Sequence, residues 1–122
     1  MKLHLAQTQG RNSVSGYGPG YIVVNGNRYE ASLVVLPDKI IERWGAPAAE
    51  SLDEAALRFL ATLGVEIVLI GTGKTLKFPE AQNLRWLIEA GIGFEIMDTN
   101  AACRTYNILV AEDRKVAAAL QL

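Results

Sequence analysis

The chain is 122 residues long, half apolar and one-fifth charged, with a net charge of −1. That is the size and balance of one globular domain, and its interspersed charges offer neither a long-range field nor a basic stripe for nucleic acid or an anionic membrane. The single cysteine, Cys103, and single histidine, His4, exclude an internal disulfide and any multi-cysteine metal site, and no apolar run approaches the ~20 residues of a membrane span.

The N-terminal "MKLHLAQTQG" has no apolar run of signal length and no Arg-rich transit character. A cytoplasmic protein without direct membrane insertion is therefore expected. "QTQGRNSVSGYGPG" is rich in Gly, Ser and Asn, so residues 1–19 are expected as a loosely ordered arm and residues 20–122 as the α/β core. "YIVVNGNRYEASLVVL" places two β-rich runs around Asn25-Gly26, the pair best suited to a type I′ turn. A hairpin of Tyr21–Val24 with Asn27–Leu36 is expected, ended by Pro37, with "KIIERW" as a short further strand.

The period then changes. Ser51 and Glu54 have capping-box spacing, and Leu52, Ala55, Ala56, Phe59, Leu60 and Leu63 fall on one helical face. Gly64 is placed to end that helix. "VEIVLI" is a mostly apolar, β-branched run, suited to a strand covered on both faces. After "GTGKTLKF", Pro79 suits the first turn of a second helix, with Ala81, Leu84, Leu87 and Ile88 as its buried face and Gly91 after it. "GFEIM" is another strand, and Asp98 or Thr99 caps a third helix running to Ala111. The tail "RKVAAALQL" has helix-favouring alanines, but Val116, Ala118, Leu120 and Leu122 alternate, which favours a strand. Helices between these later strands imply parallel pairing.

"LIGTGKT" ends like a phosphate-binding P-loop, but that motif needs a glycine five residues before Gly73, where this chain has Val68. Pro79 also delays the helix, so Lys74 is not on a first helical turn. Gly71 and Gly73 still follow a strand at its carboxyl end, where open α/β sheets bind ligands, and they serve either a tight turn or an anion cradle. Parallel geometry brings Asp98 near them. Arg104 has Asn100, Ala101, Asn107 and Ile108 as its helical neighbours, none a carboxylate, so its partner is tertiary, a ligand or water. Cys103 lies about one turn into the helix with no histidine nearby and reads as a small core residue; Tyr106 joins the packed face.

"GYGPGYIVVNG", "LIGTG" and "MDTNAACRTYNILVAEDRKVAAAL" resemble the Mth-type domain family, domain of unknown function 498, over nearly the whole chain from Gly16 to Leu120. That family includes a mitochondrial complex I assembly factor and the adipogenesis-associated domain protein. The resemblance implies a three-layer α/β domain on a mixed five-stranded sheet, with an N-terminal β-hairpin and the final strand antiparallel to the others. It implies no established reaction and no cofactor, and its mitochondrial members act by binding partner proteins. The motif positions it carries over are Gly71, Thr72, Gly73, Asp98, Thr99, Cys103, Arg104, Thr105, Tyr106 and Asn107. Without a transit peptide, a bacterial member is expected. Two functions stay open: a protein-interaction module with an unidentified partner, self-association included, or a small-molecule or anion-binding domain or enzyme. The second would use Gly71, Thr72 and Gly73 with Asp98, Thr99, Arg104, Thr105 and Asn107.

Overall fold

Asn25 and Gly26 both hold positive φ, 52° and 83°, and Val24 pairs with Asn27 across them, giving the two-residue turn that the Asn-Gly pair demands. The structure, a computed structural model, describes residues 10–44 and 52–122. Its elements in chain order are β1 (Val14–Gly18), β2 (Tyr21–Val24), β3 (Asn27–Tyr29), β4 (Leu33–Leu36), β5 (Lys39–Glu42), α1 (Glu54–Leu60), β6 (Ile67–Thr72), α2 (Ala81–Glu89), β7 (Gly93–Met97), α3 (Thr99–Ala111) and β8 (Val116–Gln121).

The expected second hairpin strand, Asn27–Leu36, is two strands. β2 is only four residues long and its register reaches Tyr29 opposite Ile22, so nothing pairs with the chain beyond. Leu33–Leu36 leaves for the larger sheet, where all four residues are buried between β5 and β8. The segment expected as an arm also contains β1, antiparallel to β2; residues 1–9 lie outside the described residues. Thus β1-β2-β3 form a small sheet, and the second sheet has the order β5-β4-β8-β6-β7.

β8 is parallel to β6 and antiparallel to β4. The expectation that the final strand opposes all the others is therefore corrected. α3 carries the chain back along the sheet, so β8 starts at the same end as β6 and β7, and β4 alone runs against the other four strands. As the central strand, β8 is buried throughout. Val116, Ala118 and Leu120 face a core with α3 and the small sheet; Ala117 and Ala119 face a second core with α1 and α2. Three layers result, with a mixed five-stranded sheet in the middle.

The helices on the second face differ in detail from the sequence pattern. Asp53 is the N-cap of α1, accepting from the Ala56 N–H at 2.9 Å, so Glu54 opens the helix instead of closing a capping box; Ser51 lies outside the described residues. Leu57 is fully buried in place of Phe59, which is 39% exposed, and Ala55 faces outward, because Ala56, Leu57 and Leu60 are the stripe turned to the sheet. On α2 Leu87 is buried and Leu84 packs into the same core, while Ala81 and Ile88 are exposed; Pro79 lies two residues before Ala81, outside the first turn, with Glu80 as the N-cap.

Candidate functional site

β6 and β7 are parallel neighbours, with Gly71 opposite Met97, so their carboxyl ends deliver Thr72-Gly73 and Asp98-Thr99 side by side. Gly71 lies within β6, and a Cβ there would be 3.0 Å from the Thr99 Cα and 3.1 Å from Leu120 Cδ2. Close approach of α3 to the strand, rather than a turn, therefore calls for that glycine. Gly73 is the turning residue, at φ 91°. Its N–H donates to Thr99 Oγ1 at 2.8 Å, and the Thr99 N–H donates back to the Gly73 carbonyl at 2.9 Å. The Thr99 hydroxyl in turn donates to the Gln121 carbonyl at the end of β8. Thr72 donates to the Thr75 carbonyl at 2.7 Å and accepts from the Lys77 N–H at 3.1 Å. Asp98 caps α3 by accepting from the Ala101 N–H at 2.9 Å. The amides and hydroxyls of this crossing are thus committed to one another.

The rest of the sequence-derived set lies further along α3, where Arg104 and Asn107 face the first strand and Thr105 turns toward β7. Arg104 donates to the Tyr17 hydroxyl at 2.9 Å, and that bond holds its pKa above the ordinary arginine value. Its tertiary partner is therefore a phenol on β1. Asn107 accepts from the Val14 N–H at 2.8 Å and donates to the Val14 carbonyl at 2.7 Å. Tyr106 is buried and donates to the Asn12 carbonyl at 2.9 Å. Thr105 reaches Met97 Sδ at 3.6 Å. Burial pushes the Cys103 thiol up to about 12, far from a nucleophile at neutral pH. Among the described residues no group of three or more His, Cys, Asp or Glu could hold a metal ion.

A pocket of about 530 Å³ opens between the β1–β2 turn and the loop after β6. Thr72, Gly73 and Thr99 line it; Gly71, Asp98, Arg104, Thr105 and Asn107 do not. The structure thus divides the sequence-derived set into a strand-end crossing at the pocket and a docking seam on α3. The other lining residues lay outside that set, among them Lys74, Lys77 and Gln121. Gln121 carried a signal, being a polar residue at the end of an otherwise apolar strand. Tyr17 and Val14 carried none, since only the tertiary fold brings β1 to α3.

Together these features define a small three-layer α/β domain with a hairpin sheet docked on the helix that follows its β6–β7 pair. The family model described as "Protein of unknown function (DUF498/DUF598)" matches residues 14–121, and the chain belongs to that family. It is 34% identical over 109 residues to the NADH dehydrogenase [ubiquinone] 1 alpha subcomplex assembly factor 3 of Danio rerio, covering 88% of this chain and 62% of that protein. The chain therefore spans less than two-thirds of the length of that relative. It is also 29% identical over 101 residues, 82% of each chain, to the "13 kDa major membrane protein" of Francisella tularensis. A Bordetella pertussis solution structure described as a Mth938-like domain superposes with a TM-score of 0.80 at 30% identity, covering 93% of this chain and 87% of that one.

Proposed function

We propose that this protein is a protein-interaction module of the assembly-factor kind, which holds a partner polypeptide instead of transforming a substrate. One observation carries the reading: the loop between β6 and α2 presents two large apolar side chains to solvent, Leu76 at 52% and Phe78 at 70% exposure. Apolar groups presented together at a loop tip are the anchors that a partner buries. The name of the zebrafish relative supports the same direction, and the partner class it suggests is a subunit of a multi-protein complex awaiting incorporation. A cytoplasmic location belongs to this reading, and it agrees with the described residues containing no helix long and apolar enough to cross a membrane.

The test places a photocrosslinking residue at Phe78 in cells expressing the full chain and identifies what it captures. The capture should be one defined polypeptide, and Leu76→Ser with Phe78→Ser should abolish its co-purification without lowering the melting temperature. Retention of the partner by that double variant would overturn the reading. Analytical ultracentrifugation of the same proteins tests whether the captured polypeptide is a second copy of this chain.

A further inference from the structure

We propose that the pocket between the β1–β2 turn and the loop after β6 binds a small organic carboxylate that also carries an N–H or O–H donor. Its volume, about 530 Å³, falls within the range of roughly 300–1,000 Å³ typical of small-molecule sites. Pro19, Tyr21 and Leu122 give the lining an apolar part. Lys74 and Lys77 give it two solvent-exposed ammonium groups, neither in an ion pair among the described residues. Gln121 is 3% exposed, lines the same space, and its Oε1 has no hydrogen-bond partner.

That unpartnered oxygen is the observation pointing to a ligand. Buried side-chain oxygens are almost always paired, because an unpaired one keeps its desolvation penalty with nothing to offset it. β8 is apolar from Val116 to Leu120, so the sheet itself has no use for an amide at this position. The neighbouring polar groups are already satisfied: the Gly73 N–H by Thr99, the Thr99 N–H by Gly73, and the Thr72 hydroxyl by Thr75 and Lys77. A single carboxylate can pair with the two lysines, an apolar body can lie against Tyr21 and Pro19, and a turn of the Gln121 carboxamide about its soft last bond would bring its shielded oxygen to one donor.

Two probes test each part separately. Indole-3-propionate has a carboxylate, a flat apolar ring and one N–H; 1-methylindole-3-propionate carries a methyl group in place of that hydrogen, and a Gln121 variant separates the lost donor from the added bulk. Each is titrated into the full chain and followed by amide-correlation NMR. Saturable shifts are expected at the backbone amides of Gly20, Lys74 and Asn100 and at the side-chain amide of Gln121. The methylated probe should bind about tenfold more weakly. Lys74→Ala with Lys77→Ala should weaken both probes by about tenfold and flatten their salt dependence. Gln121→Met, close in volume, should remove the difference between the probes. Absence of saturable shifts up to about 10 mM probe, shifts centred on Leu76 and Phe78, or unchanged affinity in the lysine double variant would each overturn the proposal. If Gln121→Met does not fold, the probe pair and the lysine variant still decide it. Phe78→Ser should leave probe binding intact, which separates this site from the partner-binding reading.

Discussion

Asn107 holds Val14 by both polar groups of its backbone: the carboxamide oxygen accepts from the Val14 N–H at 2.8 Å and the carboxamide nitrogen donates to the Val14 carbonyl at 2.7 Å. The side chain acts as one more rung of a sheet ladder, joining β1 to α3 across 93 residues of sequence. Asn107→Ala leaves two partly buried backbone groups without partners. We expect a loss of about 2 kcal/mol, read as a lower urea midpoint at unchanged m-value. Asn107→Asp should also destabilise, since a carboxylate accepts from the Val14 N–H but meets the Val14 carbonyl with an oxygen of like polarity.

Gly71→Ala puts a methyl 3.0 Å from the Thr99 backbone. Backbone cannot swing aside as a flexible side chain would, so the cost should be about 1–3 kcal/mol. A two-state urea titration checks it. The same experiment on Gly73→Ala tests a different cause, because at φ 91° nothing lies within 4 Å of the added carbon and the penalty there is conformational alone.

Gly26→Val forces a β-branched residue to φ 83° in the β2–β3 turn. We expect a loss on the order of 1 kcal/mol or more from thermal or urea unfolding.

Cys103 should resist alkylation at neutral pH, with native-state reaction following global or local opening. Its thiol is held near 12 by burial, against an ordinary value of 9.0. The folded state therefore keeps a proton that the unfolded state releases between those two values. Its contribution to stability is full below pH 9 and is lost as pH rises toward 12. Tyr106, also raised by burial, adds a change of the same sign at more alkaline pH. Cys103→Ala should lessen the alkaline loss, measured as melting temperature against pH relative to wild type.

Arg104 is engaged with Tyr17 and lies outside the pocket lining. Sulfate should therefore raise the melting temperature of wild type and Arg104→Ala equally, through its general exclusion from protein surfaces. A gain confined to wild type would place an anion at Arg104. The variant itself should lose little stability, since the bond lies at an exposed edge.

What the sequence made legible was mostly local. The Asn25-Gly26 turn, the N-cap at Asp98 and the strand at Val116–Gln121 each depend on a few adjacent residues whose backbone preferences agree with the fold. The family resemblance added the mixed five-stranded sheet. The break after Tyr29 was not legible, because β-propensity continues through Leu36 and only the shortness of β2 ends the pairing. The direction of β8 relative to β4 depended on which strands it joined. At the site, Arg104 announced a missing partner without naming it, and Gln121, a visible polar end to an apolar run, gained a place at the pocket only once β8 was seen to be the central strand.

The bonds from Tyr106 and Asn107 to the N-terminal segment end on main-chain atoms of Asn12 and Val14, and Arg11 reaches the Val110 carbonyl and Asp113 from the other side. α3 thus grips the path of this segment more than its side chains. Substitutions at Ser13 and Ser15 should be well tolerated, whereas an inserted or deleted residue between Asn12 and Val14 would throw both attachments out of step. The same arrangement lets the small sheet exchange its amide protons as a unit of its own. Its amides should lose protection together when the grip on Val14 opens, ahead of those of β6 and β8 beneath it.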